Sequence, residues 1–280
     1  MAVQLTYHYD AAPGLTQLVT PGVQPLNDLD FAMLRLGPGE KYTAETGDYE
    51  VGVVLLAGTA TLRSGAQSVA DLGERTSVFA GRASGVYLPI HAAYTITAGA
   101  AGIEAAICRC RATEAHPMQV VRPPQVVARE AGQGAFRRYV HDILGVTNSQ
   151  AQRLIVGETF TPAGNWSSFP PHKHDTLELP DEVQQEELYI FKIRPEIGFG
   201  IQGWYTRNGS TYAALNAAEI VHQNDVTIMP YGYHPVAAPP GYDVYYLWFM
   251  AGPVREMHPH DDPDHTWIKN DAAAPRDLPR

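Results

Sequence analysis

Apolar residues in this chain gather in short runs, several of which alternate with polar residues at a period of two. The clearest runs lie at 51–56, 86–89, 152–161, 188–193, 200–206, 226–230 and 242–250, and are rich in Val, Ile, Tyr, Thr and Phe. Period-two alternation is the pattern of a half-buried strand, because successive side chains point to opposite faces. Glycine and proline, 25 and 22 residues, separate the runs as turn formers. Helical spacing is scarce, and 132–144 has room for one short helical turn. Many short strands between frequent turns predict an all-β protein, a sandwich or a barrel.

The pattern occurs twice. Residues 36–42 align with 161–166, 49–54 with 187–191, 86–91 with 227–234, and 102–110 with 241–250. A repeat this long indicates duplication of a whole β-domain rather than a solenoid. The proline-rich stretch after Pro117 is the natural linker. The expected organisation is a barrel over 1–117, a linker over 118–131, and a second barrel with a tail over 132–280.

Bulk properties narrow the function. A chain of 280 residues, 45% hydrophobic and 18% charged, is globular with ample core. A formal net charge of −10 argues against nucleic acid or an anionic membrane as partner. It leaves room for a small acidic substrate held by a local cluster of cations. Residues 1–10 lack the basic and apolar regions of a secretory leader. No apolar run reaches the roughly 18 residues of a membrane span. The two cysteines, Cys108 and Cys110, are too few for a structural zinc site and too close for a relaxed disulfide, so they read as reduced core thiols of a cytoplasmic protein.

The chemistry concentrates at Pro170–Asp175 (PPHKHD), where His172 and His174 lie one residue apart in strand-like sequence. A strand points both imidazoles to one face, where they can converge on one ion. A strand opening with Glu186 and Glu187 follows, then a turn Pro230–His234 (PYGYH). Histidine and carboxylate ligands suit Zn, Mn, Fe or Ni. Glu186 and Glu187 face opposite ways, so only one points into the barrel; for Glu186 the expected role is a solvated strand start. The first half has Ala44 and Thr46 at the place of the histidine pair, so one metal per chain is expected, in the second half. Among the other histidines, His222, His258, His260 and His265 read as surface or hydrogen-bonded groups, His8 and His91 as incidental, and His116 and His141 as structural.

These motifs resemble the two signatures of the cupin superfamily. More narrowly, Gly164–Asp175 (GNWSSFPPHKHD), Pro230–Val236 (PYGYHPV), Met250–Arg255 (MAGPVR) and Asp262–Trp267 (DPDHTW) resemble the 5-deoxy-glucuronate isomerase family of inositol catabolism. The string Arg138–His141 (RYVH) looks like a further family element. The resemblance implies two tandem cupin jelly-roll barrels, and interconversion of 5-deoxy-D-glucuronate and 5-dehydro-2-deoxy-D-gluconate. It also implies metal ligands at His172, His174, Glu187 and His234. One departure is Gln202-Gly203, where the resemblance leads one to expect an arginine; Arg207 is the nearby alternative.

An aldose–ketose conversion passes through an enediol, whose developing charge a Lewis-acidic metal stabilises. It also needs a general base, for which Lys173, Asp175, Tyr189 and His141 are candidates. Arg255, Arg138 and Lys192 are candidates for binding the substrate carboxylate. Two other readings are an Fe(II) cupin dioxygenase, which would consume oxygen, and a non-catalytic sugar-binding cupin, which would bind without turnover. Exposed sheet edges in duplicated barrels suggest a homo-oligomer.

Overall fold

The computed structural model describes residues 4–271; the end of the expected tail, 272–280, and residues 1–3 lie outside it. The described chain is almost entirely β, its only α-helix being Ile268–Asp271. None of its helices is long and apolar enough to cross a membrane. The turn expected within 132–144 is a single 3₁₀ turn at Gly134–Phe136, followed by the strand Arg138–Leu144.

Two large antiparallel sheets carry the fold. In the first, the strands run in the order Gly14–Val19, Asp30–Leu36, Ala93–Arg111, Tyr49–Ser64, Ser84–Leu88, Gln119–Val121. In the second, the order is Arg138–Leu144, Ile155–Thr161, Asp243–Ala251, Glu186–Arg194, Asp225–Met229, Thr6–His8, with Val127–Ala131 added beside Arg138–Leu144. The two orders match strand for strand, as the internal repeat predicts. The last position is exchanged, however. The chain's first strand completes the sheet of the second half, pairing Thr6 with Thr227 and His8 with Asp225. The stretch 118–131 contributes a strand to each sheet.

Each barrel needs a second layer. In the first half, the strands Tyr49–Ser64 and Ala93–Arg111 are long enough to bend over and supply it, pairing there with Gln67–Leu72 and Lys41–Glu45. The bend lies at bulges near Ala57 and Ala60. Gly58, at φ +85°, makes the corner, and a Cβ there would lie 2.1 Å from the Gly102 carbonyl oxygen. In the second half the layer is a separate sheet in the order Trp166–Ser167, Val236–Ala237, Gly200–Tyr205, Asn216–Val221.

Strand alternation gives the two interiors opposite characters. Val51, Val53 and Leu55 point into the first barrel and pack with Leu34, Leu88, Ile96 and Ile107 in an apolar core. In the second barrel, Glu187 and Tyr189 instead line a cavity of about 500 Å³. Val51 pairs with Leu88 as Glu187 pairs with Met229, so Val51, two residues on from the Tyr49 that the sequence alignment sets there, stands where the second half has its carboxylate.

The two large sheets pack face to face. Val54, Leu56, Cys108 and Cys110 share one buried cluster with Ile143, Leu144, Leu154 and Val156. Both thiols are free, and burial pushes both up, so neither is a ready nucleophile. Buried polar contacts fix this docking. Glu50 accepts bonds from the backbone N–H of Gln152, Arg153 and Leu154 at 2.7, 2.6 and 2.6 Å. Arg75 pairs with Glu158 at 2.9 Å, and Lys192 with Glu104 at 2.8 Å. Such pairs specify one docking geometry more than they add stability, because their desolvation offsets most of the attraction.

Candidate metal centre

His172 lies on a two-residue strand, His172–Lys173, paired with His260–Asp261 from the C-terminal segment. The pleat sends His172 and His174 to one side and Lys173 to the other. Lys173 there bonds Asp175 at 2.6 Å and Glu182 at 2.7 Å. Asp175 in turn accepts the Gly232 N–H at 2.8 Å. This buried clasp ties the segment carrying His174 to the turn carrying His234. Gly232 has φ +87°, and a Cβ would meet the Tyr205 carbonyl oxygen at 2.8 Å, so glycine is required in that turn.

The structure brings His174, Glu187 and His234 together, all buried, with their ligating atoms within 4.8 Å of one another. His172 stands beside this group, its ring centre 4.9 Å from that of His234. Glu187, not Glu186, faces inward. Glu186 is not solvated as expected: it accepts the backbone N–H groups of Asn27 and Asp28 at 2.8 Å and so ties down a loop of the first half.

Tautomers follow from the backbone. His174 Nδ1 lies 2.7 Å from the Gln185 carbonyl oxygen, and His234 Nδ1 lies 2.9 Å from that of Gly232. Carbonyls only accept, so each Nδ1 carries the proton, and each ring, when neutral, presents Nε2 as its free ligating atom. Both Nε2 atoms face the same Glu187 oxygen, at 3.1 and 3.2 Å. The His234 Nε2 lies near that oxygen without hydrogen-bond geometry and is a buried nitrogen with no partner. Three electron-rich atoms facing one another in a buried space fit a cation between them. Burial pushes the Glu187 carboxyl up, but its contacts with His174 and His234 outweigh this and hold it down at about 2. Burial, reinforced by His234 and His174, drives the His172 imidazole well below its ordinary value. Both shifts favour the protonation states that bind metal. Burial lowers the His174 imidazole, but its bond to Glu187 outweighs this and raises it, so an ion bound there would displace a proton.

The cavity beside this group is walled by Arg138, Ser168, Tyr189, Tyr246 and Trp248, with Arg129, His258, Asp261 and Lys269 also lining it. Tyr189 and Tyr246 hydroxyls meet Ser168 Oγ at 3.2 and 3.3 Å, and the Tyr189 hydroxyl also donates to Glu187 at 3.2 Å. Burial, and next the Glu187 charge, push the Tyr189 phenol well above its ordinary value. Arg129 and Lys269 are neutralised by Asp142 and Asp261. Arg138 donates only to the carbonyls of Phe136 and Phe169, and no carboxylate pairs with it among the described residues. Its pKa is lowered chiefly by burial, as expected of an uncompensated cation.

Several candidates lie elsewhere. The Arg255 guanidinium is spent on the carbonyls of Leu144, Gly145, Val146, Ser149 and Leu154. Lys192 points the opposite way from Glu187 and Tyr189, into the interface with the first half. Lys173 and Asp175 belong to the clasp and do not line the cavity. His141 faces out of the second barrel and bonds Glu158 at 3.0 Å. Gln202 is buried and holds the carbonyls of Gly203, His234 and Pro235, while Arg207 is tied to Asp262 and Asp264. Of the base candidates Tyr189 alone reaches the cavity, and of the cation candidates Arg138 alone. His258 is half-buried and bonds Glu256 at 2.9 Å, as expected of a surface or hydrogen-bonded histidine, and it also lines the cavity, because the pairing of His260–Asp261 brings the C-terminal segment beside it.

Two tandem barrels of equal strand order, the second with a buried His–Glu–His group beside a cavity, define a two-barrel cupin. The crystal structure of oxalate decarboxylase from Lactobacillus farciminis shares the fold with a TM-score of 0.67, covering 98% of this chain and 92% of that one. At 12% identity the likeness is one of fold alone. The chain belongs to the KduI/IolB family, whose model matches residues 5–268. It is 39% identical over 251 residues to the 5-deoxy-glucuronate isomerase of Geobacillus kaustophilus, covering 89% of each chain. It also superposes on the crystal structure of an IolB-like protein from Salmonella typhimurium with a TM-score of 0.89 and 34% identity, over 95% of this chain and 99% of that one.

Proposed function

We propose that this protein is a metal-dependent 5-deoxy-glucuronate isomerase of inositol catabolism. The reading is carried by one observation: two imidazole Nε2 atoms and a carboxylate oxygen, all buried, are aimed at one point beside a polar cavity. His174, Glu187 and His234 would hold one divalent ion, Zn, Mn, Fe or Ni, with His172 as the fourth ligand. When bound, the ion supplies Lewis-acid stabilisation of charge on the substrate oxygens.

The chain's own residues supply the remaining work. Arg138 pairs with the substrate carboxylate; it is the cavity cation that lacks an anion, and a guanidinium matches a carboxylate in a two-bond fork. The carbon-bound proton passes to a separate base and returns to the neighbouring carbon. Tyr189 stays protonated near neutral pH and offers its hydroxyl to the oxygen that gains charge as the carbonyl shifts, and the proton it gives up comes back from the substrate hydroxyl. Ser168 and Tyr246 complete a hydroxyl chain through which that proton is replaced. The clasp of Lys173, Asp175 and Glu182 holds the histidine-bearing segments in register. The first half, 1–117, would act as a metal-free support for the catalytic half from 132 onward. The same reading places the protein in the cytoplasm as a homo-oligomer; the rim of the edge strand Val127–Ala131 is available for subunit contact.

The test is elemental analysis of the purified protein combined with anaerobic NMR of 5-deoxy-glucuronate turnover. One ion per chain and conversion without oxygen are expected. Conversion that requires oxygen, or substrate binding with no turnover in the metal-loaded protein, rejects the proposal.

Arg138→Met should raise KM about 10- to 100-fold, the effect of one lost charge-assisted pair, with metal content unchanged. An unchanged KM would remove Arg138 from the substrate. Tyr189→Phe should lower kcat about 100-fold, the low end of general acid catalysis, with little change in KM. Wild-type kcat in that variant would exclude the hydroxyl from proton transfer.

A further inference from the structure

A second cavity lies on the other side of the wall formed by Arg138–Leu144 and Ile155–Thr161. Along the first of these segments, Arg138 and Val140 line the first cavity, whereas Arg137, Tyr139 and His141 line the second. Thr159 and Phe160 divide in the same way. The second cavity measures about 470 Å³, opens to solvent, and is bounded on the side of the first half by Val78, Phe79, Gly81 and Arg82. It is a built space at the seam between the halves, and isomerisation makes no use of it.

Its chemistry is specific. Three guanidinium groups, Arg82, Arg137 and Arg194, surround it, against one carboxylate, Asp243. Asp243 is already paired with Arg194 at 2.6 Å. Among the described residues no carboxylate pairs with Arg82 or Arg137, in a chain whose formal net charge is −10. The apolar surface is aromatic: Phe79 and Phe160 meet edge to face at 6.3 Å, and the Arg194 guanidinium lies 4.6 Å over the Phe79 ring. His141 reaches the same space, its ring 5.0 Å from Phe160. Behind it, His141 Nδ1 is anchored to Glu158, which also holds Arg75 and the Tyr245 hydroxyl. The ring orientation is therefore fixed, and no protein group bonds His141 Nε2 among the described residues.

We propose that this seam cavity binds a small anion carried on a flat apolar ring, an aromatic carboxylate or phosphate. Arg82 and Arg137 receive the anionic group through charge-assisted bonds. The ring packs between Phe79, Tyr139 and Phe160, where an aromatic body gains from edge-to-face contact. The argument does not depend on the reaction catalysed in the first cavity.

The experiment uses the full-length metal-loaded protein and phenyl phosphate as probe, followed by calorimetric titration. Inorganic phosphate and phenol serve as the charge-only and ring-only arms. Phenyl phosphate should bind saturably at one site per chain, at least about ten-fold more tightly than either arm. Arg82→Gln combined with Arg137→Gln should weaken it at least about ten-fold, with unfolding temperature and isomerase activity unchanged because both side chains are exposed. Arg138→Gln should leave phenyl phosphate binding intact. Absence of saturable binding overturns the proposal, as does equal binding by the double variant. Loss of binding in Arg138→Gln alone assigns the probe to the first cavity and also overturns it. A change of oligomeric mass in the double variant, with no probe binding by the wild type, assigns the seam to a subunit contact instead.

Discussion

His234→Ala should yield a folded protein with no retained metal and with kcat/KM reduced at least about 1,000-fold, the equivalent of about 4 kcal/mol of lost charge stabilisation. The His234 ring is held by its own turn, through the Gly232 carbonyl and the buried Gln202 that bonds the His234 carbonyl. Its removal therefore empties a ligand position without dismantling a strand. Unfolding temperature should change little beyond the loss of metal-linked stabilisation, which adding metal to wild type and withholding it would bracket. His172→Ala should cost less, because that ring stands outside the tight group of His174, Glu187 and His234. Metal content by mass spectrometry, read beside turnover, decides the matter. Full occupancy in His234→Ala would dismantle the site as drawn.

Glu50→Ala should lower unfolding free energy by about 3–5 kcal/mol, the sum expected when three buried donors lose their acceptor at about 1–2 kcal/mol each. The Glu50 carboxylate is fully buried and accepts three backbone N–H groups from Gln152 to Leu154, with the Cys110 thiol beside it at 3.3 Å. Alanine leaves all three donors without acceptors at the docking face of the two halves, where water has no ready access. Glu50→Gln keeps one acceptor oxygen and should recover part of the loss. Urea midpoints with an unchanged slope provide the measurement. The folded fraction should retain normal turnover, since Glu50 does not line the catalytic cavity. A loss under about 1 kcal/mol would mean that the apolar cluster alone sets the docking.

The sequence made the strands and the candidate ligand group readable because both follow from local rules. Period-two alternation located the strands, and the same alternation placed His172 beside His174 and made Glu186 and Glu187 exclusive. The residue types of the turn before His234 needed no tertiary information either. What stayed hidden depends on partners distant in sequence. Arg138 and Arg255 are equal as isolated arginines; one is consumed by five carbonyls and the other meets no anion, and only the folded chain distinguishes them. Lys173 and Asp175 flank His174 and so resemble catalytic groups, but the pleat turns Lys173 away toward Glu182. His258 reads as a surface or hydrogen-bonded group, which it is, but its place beside the cavity requires a two-residue pairing between His172–Lys173 and His260–Asp261. Glu186 shows the same limit: its acceptors' partners lie in the other half of the chain.

The exchanged strand bears on how the molecule is made. Thr6–His8 leaves the ribosome long before its hydrogen-bonding neighbour, Asp225–Met229, which follows more than 200 residues later in the sequence. During synthesis the earlier strand must wait, and until it docks the later sheet presents an open rim to other nascent chains. A gene cut at the proline-rich connector would give a second fragment that lacks its own border strand. Supplying that fragment with the leading peptide in trans is the natural route to a functional split version.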